Sequence, residues 1–426
     1  MPEGGEIIEA SSMKIALINN LYPPYIIGGN EILAHDVVEE LRRRGHILHV
    51  IVGKGRDLPA DGYTHGVLDL DLDRKNETFL GEKRPTPIDI FNWHLFNRKS
   101  YKTTKQLLQF IKPDLVIVWN LYMASMAPLV AASKLRIPTV IHVCDKWLLY
   151  SLKDLEPLLR PSTLWQRLAT CLLRETLQKA LYRMVDLSYI ISISHFIRDK
   201  YTALGFPEDA FRVIHLGIPT DLFAPVPKSP KGKINFLYVG GLWEGKGPQV
   251  AIRALGHLVH QSGMTNVHLD CYGEGTENFK RYLQGIIKQQ GVGEYVSFHG
   301  FVERDKIVKA YQTHDILVFP SIWDEPFAAV PIEAMSCGMA IIATTAGGTP
   351  EAIEDEVTGL LVPPNDPVEL AAAMKRLAMD GELRSRLGRT AAAVARKRFD
   401  FATYVDKLEE CYEQVIHRSK QRGGIP

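Results

Sequence analysis

Glu325 and Glu333 stand eight residues apart, just after the apolar run Asp315-Ile316-Leu317-Val318-Phe319. The apolar run predicts a buried parallel strand, Pro320 to Pro326 the loop at its C-terminal end, and Phe327 to Ser336 a helix closed by Cys337-Gly338. One carboxylate then lies on the loop and the other within the helix. Pro331 falls within about the first turn, where a missing N–H costs little, so the amides near Ala328 and Ala329 face the loop mouth. A helix N-terminus of this kind favours phosphate. Acids on either side of an anion site suit a ligand with hydroxyls at both ends and phosphates between, which describes a nucleotide-sugar. Taken singly, each glutamate is also what the dipole favours near any helix start.

Two glycine-rich turns could serve the same ligand. In Pro23-Pro24-Tyr25-Ile26-Ile27-Gly28-Gly29-Asn30-Glu31, the double glycine opens the backbone to close approach and the following helix offers free amides; a plain tight turn reads equally well. In Gly240-Gly241-Leu242-Trp243-Glu244-Gly245-Lys246-Gly247, the spacing nearly spells a phosphate loop. Residue 247 is Gly where that motif needs Ser or Thr for magnesium, which disfavours an NTPase and leaves Lys246 facing phosphate.

The segment around the glutamates resembles the signature of family 4 retaining glycosyltransferases, a Glu-x7-Glu pair in a run like Pro-Ser-x-x-Glu-Pro-Phe-Gly, then Glu-Ala-Met. Pro320-Ser321, Glu325-Pro326-Phe327, Glu333-Ala334-Met335 and Cys337-Gly338 carry the match, and Ala328 replaces the usual glycine. The resemblance implies that Glu325 contacts the donor sugar's hydroxyls, that Glu333 holds the ribose, and that Phe327, Ala328 and Ala329 line the donor. It implies diphosphate contacts for Gly28, Gly29, Gly240, Gly241 and Lys246. Family members pair that lysine with an arginine, whose place Gly241 takes here, so one cation is missing. Tyr272-Gly273-Glu274-Gly275 and Thr345-Ala346-Gly347-Gly348-Thr349-Pro350-Glu351 are further family-like turns, open to a ligand or a structural role.

On the acceptor side, Ile137 to Trp147 runs from a strand into a loop. His142 and Asp145 are the candidate catalytic residues, with a satisfied core histidine as the competing reading of His142. The family's similar His-Asp-x-Trp pattern, aligned on Asp145 and Trp147, puts Cys144 in the histidine's place. Trp165 to Arg174 predicts a basic helix with an apolar face, suited either to an anionic membrane or to packing on the first domain.

These residues need elements to hold them. Strands at Lys14–Ile18, Ile47–Val52, Leu115–Trp119, Thr139–Val143 and Leu187–Ser192, with a helix at Glu31–Arg44, alternate as in a doubly wound α/β sheet. Pro219 to Gly232 has linker composition, and the alternation restarts at Ile234–Val239, Val267–Tyr272, Val296–Phe298, Ile316–Phe319 and Ala340–Thr344. The expectation is two Rossmann-like domains, 13–218 and 233–398, facing a cleft, with a helix from Phe401 to Ile416 crossing back and a disordered tail from Arg418. That architecture resembles GT-B.

Length suits two domains. A net charge of +1 offers no large basic excess to release counterions, which argues against nucleic acid as the main partner. Five scattered cysteines form no CxxC pair, the N-terminal nine residues lack a signal-peptide core, and Leu115–Ser133, uncharged over 19 positions, reads as strand, turn and helix rather than a membrane span. A cytoplasmic setting follows, with possible contact at the inner membrane face. Asp69-x-Asp71-x-Asp73 reads as a solvated loop, and no metal cofactor is expected. The reading is a retaining hexosyltransferase acting from a UDP- or GDP-sugar on a glycan or lipid-linked acceptor. The alternatives are a catalytically weak scaffold of the same fold, which the missing arginine would suit, and an epimerase or phosphorylase.

Overall fold

The computed structural model describes residues 12–72, 92–93, 96–148, 180, 182–227 and 232–421. The chain divides into two compact units: residues 1–192, 198–213 and 407–426 form unit 1, and residues 193–197 and 214–406 form unit 2. The basic helix expected at 165–174, the N-terminal nine residues and Asp73 lie outside the described residues.

Unit 1 runs β1 (Lys14–Asn19), α1 (Gly29–Arg43), β2 (Ile47–Lys54), β3 (Thr64–Asp71), α2 (Arg98–Ile111), β4 (Leu115–Asn120), α3 (Ala127–Lys134), β5 (Thr139–Val143), β6 (Ile190–Ser192), α4 (His195–Thr202), which starts in unit 2, and β7 (Phe211–Val213). The strands form one parallel sheet in the order β3-β2-β1-β4-β5-β6-β7. β4 is buried at every position, as its unbroken apolar run requires of a strand covered on both faces. Leu115–Ser133 is thus strand, turn and helix; among the described residues no helix is long and apolar enough to cross a membrane.

Unit 2 runs β8 (Ile234–Val239), α5 (Pro248–His260), β9 (Val267–Tyr272), α6 (Glu277–Gln290), β10 (Val296–Gly300), α7 (Arg304–Thr313), β11 (Ile316–Phe319), α8 (Ala329–Ser336), β12 (Ala340–Thr344), α9 (Thr349–Ala352), β13 (Leu360–Val362), α10 (Pro367–Met379) and α11 (Gly381–Arg398). Its parallel sheet is ordered β10-β9-β8-β11-β12-β13 over a core that includes Phe236, Leu255, Leu269, Val318, Ile342 and Met374. The last helix, α12 (Phe401–Gln421), starts in unit 2 and ends in unit 1.

Two expectations need correction. Residues 418–421 are helical, because α12 keeps its apolar spacing through Leu408, Tyr412 and Val415 and continues a further turn past the last of these. Asp69 and Asp71 belong to β3, a strand paired with β2, and Asp69 is tied to Lys99 at 2.8 Å and to the Asn97 side chain, so no solvated loop exists there.

Candidate functional site

Strand order reverses between β8 and β11 in unit 2, the point where an open parallel sheet parts its loops and leaves a crevice. The turn Gly240–Gly247 follows β8 and the loop Pro320–Pro326 follows β11. The Gly245 carbonyl accepts the amides of Ile322 at 2.8 Å and Trp323 at 2.9 Å, with the Ser321 hydroxyl 3.2 Å away. The indoles of Trp243 and Trp323 meet edge to face at 5.6 Å.

This junction brings Lys246 and Glu325 together. Lys246 Nζ donates to both carboxylate oxygens, at 2.7 and 2.9 Å, and the Ser321 hydroxyl lies 2.6 Å from Oε1. Glu325 is 3% exposed, so its charge stays buried only because of this pairing. A lysine and a glutamate that neutralise each other at a strand end can separate onto a ligand's opposite charges, the lysine to phosphate and the carboxylate to hydroxyls. Ser321, which the sequence reading had only as part of the motif, emerges as the third member of this group.

Glu333 is held apart from that pair, on α8. Its Oε2 accepts the Tyr311 hydroxyl of α7 at 2.7 Å. Burial raises its pKa, against the opposing effects of Tyr311 and Arg304. Tyr311 was invisible to motif reading; its signal was an aromatic with a hydroxyl on a helix whose other face is polar. α8 starts at Ala329 with Ala328 as its cap, and no side chain caps it. Phe327, a residue 5% exposed, stacks its ring on His215 at 4.7 Å. Gly240 and Gly241 stand at the end of β8, and the Gly241 carbonyl accepts the Tyr238 hydroxyl at 2.9 Å. A hollow of about 230 Å³ lined by Leu242, Gly273, Glu274, Lys280, Gln284, Phe298 and Gly300 opens beyond them.

In unit 1 the reversal lies between β1 and β4. Gly28 caps α1, and Glu31 accepts its amide at 2.8 Å and that of Ile27 at 3.2 Å, the glutamate half of a capping box whose other half glycine, without a side chain, cannot supply. Gly28 and Gly29 are exposed, and a Cβ at either would meet nothing within 4 Å, so the fold itself does not require glycine there. Asp145 accepts the Trp147 amide at 2.6 Å. Burial, with Glu31 nearby, pushes its pKa up to about 6 despite the Trp147 amide and the Asn120 side chain.

His142 is a packed core residue, 1% exposed. Its Nε2 meets the Tyr412 hydroxyl at 2.9 Å, its ring stacks on Trp119 at 4.3 Å, and its carbonyl accepts the Trp147 indole N–H. Burial depresses its pKa to about 3, so the ring is neutral at physiological pH and enclosed on both sides.

Among the described residues one group has metal-like spacing: ligand atoms of His195, His215 and Glu351 lie within 4.8 Å of one another. Both carboxylate oxygens are already engaged, Oε1 by the Phe196 amide at 2.7 Å and Oε2 by the His195 amide and His215 Nε2, each at 2.8 Å. The group is a helix cap with a histidine hydrogen-bonded to it. The four cysteines described, 144, 271, 337 and 411, are free thiols.

Comparison with known proteins agrees with this arrangement. The Glycosyltransferase Family 4 model matches residues 27–222, and the model of glycosyl transferases group 1 matches residues 220–394. An uncharacterised glycosyltransferase of Methanocaldococcus jannaschii is 29% identical over 391 residues, 86% of this chain and 90% of its own. A D-inositol 3-phosphate glycosyltransferase of Corynebacterium jeikeium is 32% identical over 244 residues, 53% of this chain and 57% of its own, so that match spans little over half of the relative. Among solved structures, a sucrose-phosphate synthase from Thermosynechococcus elongatus aligns with a TM-score of 0.72 at 21% identity, covering 96% of this chain and 100% of that one. The Anabaena protein HepE in complex with UDP-glucose aligns with a TM-score of 0.67 at 20% identity, covering 94% and 100%. These likenesses show the fold. With two parallel α/β sheets of seven and six strands and both family models matched, the chain belongs to the family 4 glycosyltransferases of GT-B fold.

Proposed function

We propose that this glycosyltransferase moves a hexose-type sugar from a UDP- or GDP-sugar to an acceptor hydroxyl of a glycan or lipid-linked glycoconjugate, with retention at the anomeric carbon. The observation that carries the reading is the Lys246–Glu325–Ser321 group at the reversal of the unit 2 sheet. Donor binding redistributes its bonds. Lys246 turns to the diphosphate, where negative charge grows as the leaving group departs, and Glu325 takes the sugar's hydroxyls. Glu333, fixed by Tyr311, offers its second oxygen to the ribose. Catalysis is then positioning and electrostatic stabilisation, with basic groups and helix amides in the place a metal takes elsewhere. Asp145, titrating near neutrality, is the acceptor-side group best suited to proton transfer, while His142 supports the Trp147 loop from the core.

The test is a thermal-shift screen of nucleotide-sugars followed by transfer to a simple acceptor, with the product anomer read by NMR. Stabilisation by one donor and a product of unchanged anomeric configuration support the reading. An inverted product removes retention. A donor that binds yet is neither hydrolysed nor transferred favours the scaffold alternative, for which the missing cation at Gly241 speaks.

A further inference from the structure

The turn from Thr345 to Glu351 lies directly behind Glu325. Gly347 has φ +60°, and a Cβ there would stand 2.2 Å from the Glu325 carbonyl oxygen and 2.4 Å from its nitrogen. A Cβ on Gly348 would stand 2.3 Å from the Pro326 carbonyl oxygen. The Gly348 amide donates to the Glu325 carbonyl at 2.7 Å. No side chain separates the turn from the backbone that carries the Glu325 carboxylate, so a shift in the turn is a shift in Glu325.

The turn cannot hold itself. α9, which it enters, has four residues, too few for independent stability. Its anchor is the Glu351 carboxylate, which takes the His195 and Phe196 amides at 2.8 and 2.7 Å and His215 Nε2 at 2.8 Å. The same partners grip the segment after Glu325 from another side: the His215 ring stacks on Phe327, and the hydroxyl of Ser194, next to His195, donates to the Pro326 carbonyl at 2.6 Å. All of these residues belong to unit 2.

We infer that Glu351 is a positioning residue for sugar transfer: its carboxylate ties the Gly347–Glu351 turn to the start of α4 and to His215, and so fixes the backbone of Glu325. The inference rests on the function proposed above for Glu325. Glu351 itself touches neither donor nor acceptor in this account. Its effect should therefore fall on turnover rather than on nucleotide affinity.

The experiment compares wild type, Glu351→Ala and Glu351→Gln by hydrogen exchange of the 344–350 segment, by nucleoside diphosphate affinity and by kcat. In Glu351→Ala, exchange at the Gly348 amide rises at least about tenfold, as expected once its segment opens locally. Turnover falls roughly 10- to 100-fold, the scale of a displaced reacting group, while nucleoside diphosphate affinity stays within about twofold. Glu351→Gln keeps one acceptor oxygen, enough for one of the two α4 amides, and restores part of the turnover, which also covers the case in which the alanine variant folds poorly. Wild-type exchange in a folded Glu351→Ala overturns the tether, and fast exchange with wild-type turnover overturns its catalytic relevance. If the wild type itself transfers no sugar, the functional reading falls, and the positioning role falls with it, while the exchange comparison still decides the tether.

Discussion

The loop ends of the two sheets differ in how their acids are held. In unit 2 both glutamates already have side-chain partners: Lys246 and Ser321 on Glu325, Tyr311 on Glu333. Buried polar atoms without a hydrogen bond among the described residues occur in both units, Gln249 Oε1 and Thr349 Oγ1 in unit 2 among them. In unit 1 the side-chain nitrogens of Asn19 and Asn30 and the Tyr22 hydroxyl are buried and make no hydrogen bond among the described residues, and Asp145 is pushed up to about 6. Buried groups without partners cost stability. A pre-paired site suits a ligand of fixed chemistry, such as a diphosphate with a hydroxyl on each side.

The strongest way to break this contrast is Lys246→Ala, which leaves Glu325 buried without its cation and, on the function proposed, the departing diphosphate without its lysine. We expect kcat to fall about 10²- to 10³-fold, the usual cost of one strong electrostatic donor. Steady-state kinetics with the donor found by the screen provides the check, and wild-type transfer would remove the lysine from the leaving group. Next in size, Glu333→Ala should weaken nucleoside diphosphate binding by about 1–3 kcal/mol, because on the function proposed the ribose loses its acceptor. Titration calorimetry with the bare nucleotide decides it, and equal affinities would release Glu333 from the ribose.

Acid separates the two units differently. His142 is neutral in the fold down to about pH 3, whereas the unfolded chain takes up a proton near 6.5. Unit 1 therefore loses stability as pH falls from 6.5 towards 3, by about 1.4 kcal/mol per pH unit once well below 6.5. His142→Phe lacks this term, so the stability gap between wild type and variant should narrow on acidification in urea unfolding series. A gap independent of pH would mean that the ring accepts protons in the native state, restoring it as a candidate for catalysis. The smallest effect expected is a gain. Gly241 has no left-handed backbone, and a Cβ there would stand 3.2 Å from Trp243 Cδ1, so Gly241→Arg requires the indole to yield only a few tenths of an ångström. Donor affinity should rise a few-fold, roughly what one partly exposed charge contributes; unchanged affinity would show that position 241 lies away from the diphosphate.

Much of this was legible before any coordinates. Strands β5, β8, β11 and β12 follow their apolar runs residue for residue, because buried parallel strands leave near-continuous apolar patterns, and β9 follows the alternation of Val267, Leu269 and Cys271. β7 and β13, three residues each at the sheet edges, were missed, as was β3, whose His65 and Asp69 break the apolar signal. At the site, motif spacing located Lys246, Glu325 and Glu333 but not their direct bonds to one another or to Tyr311. Partners recruited from distant helices leave no local pattern, and neither does the enclosure of His142 by Trp119 and Tyr412, which come from positions 23 residues before it and 270 after it.

The Gly245 carbonyl has a practical bearing on recombining this enzyme with its relatives. Because that one oxygen receives the amides of Ile322 and Trp323, the stretch after β8 and the stretch after β11 are a single mechanical part encoded by two distant pieces of gene. A chimera whose crossover falls between residues 247 and 320 would join halves of that part shaped in different ancestors. Crossovers that carry both pieces from one parent should yield active hybrids far more often than those that split them.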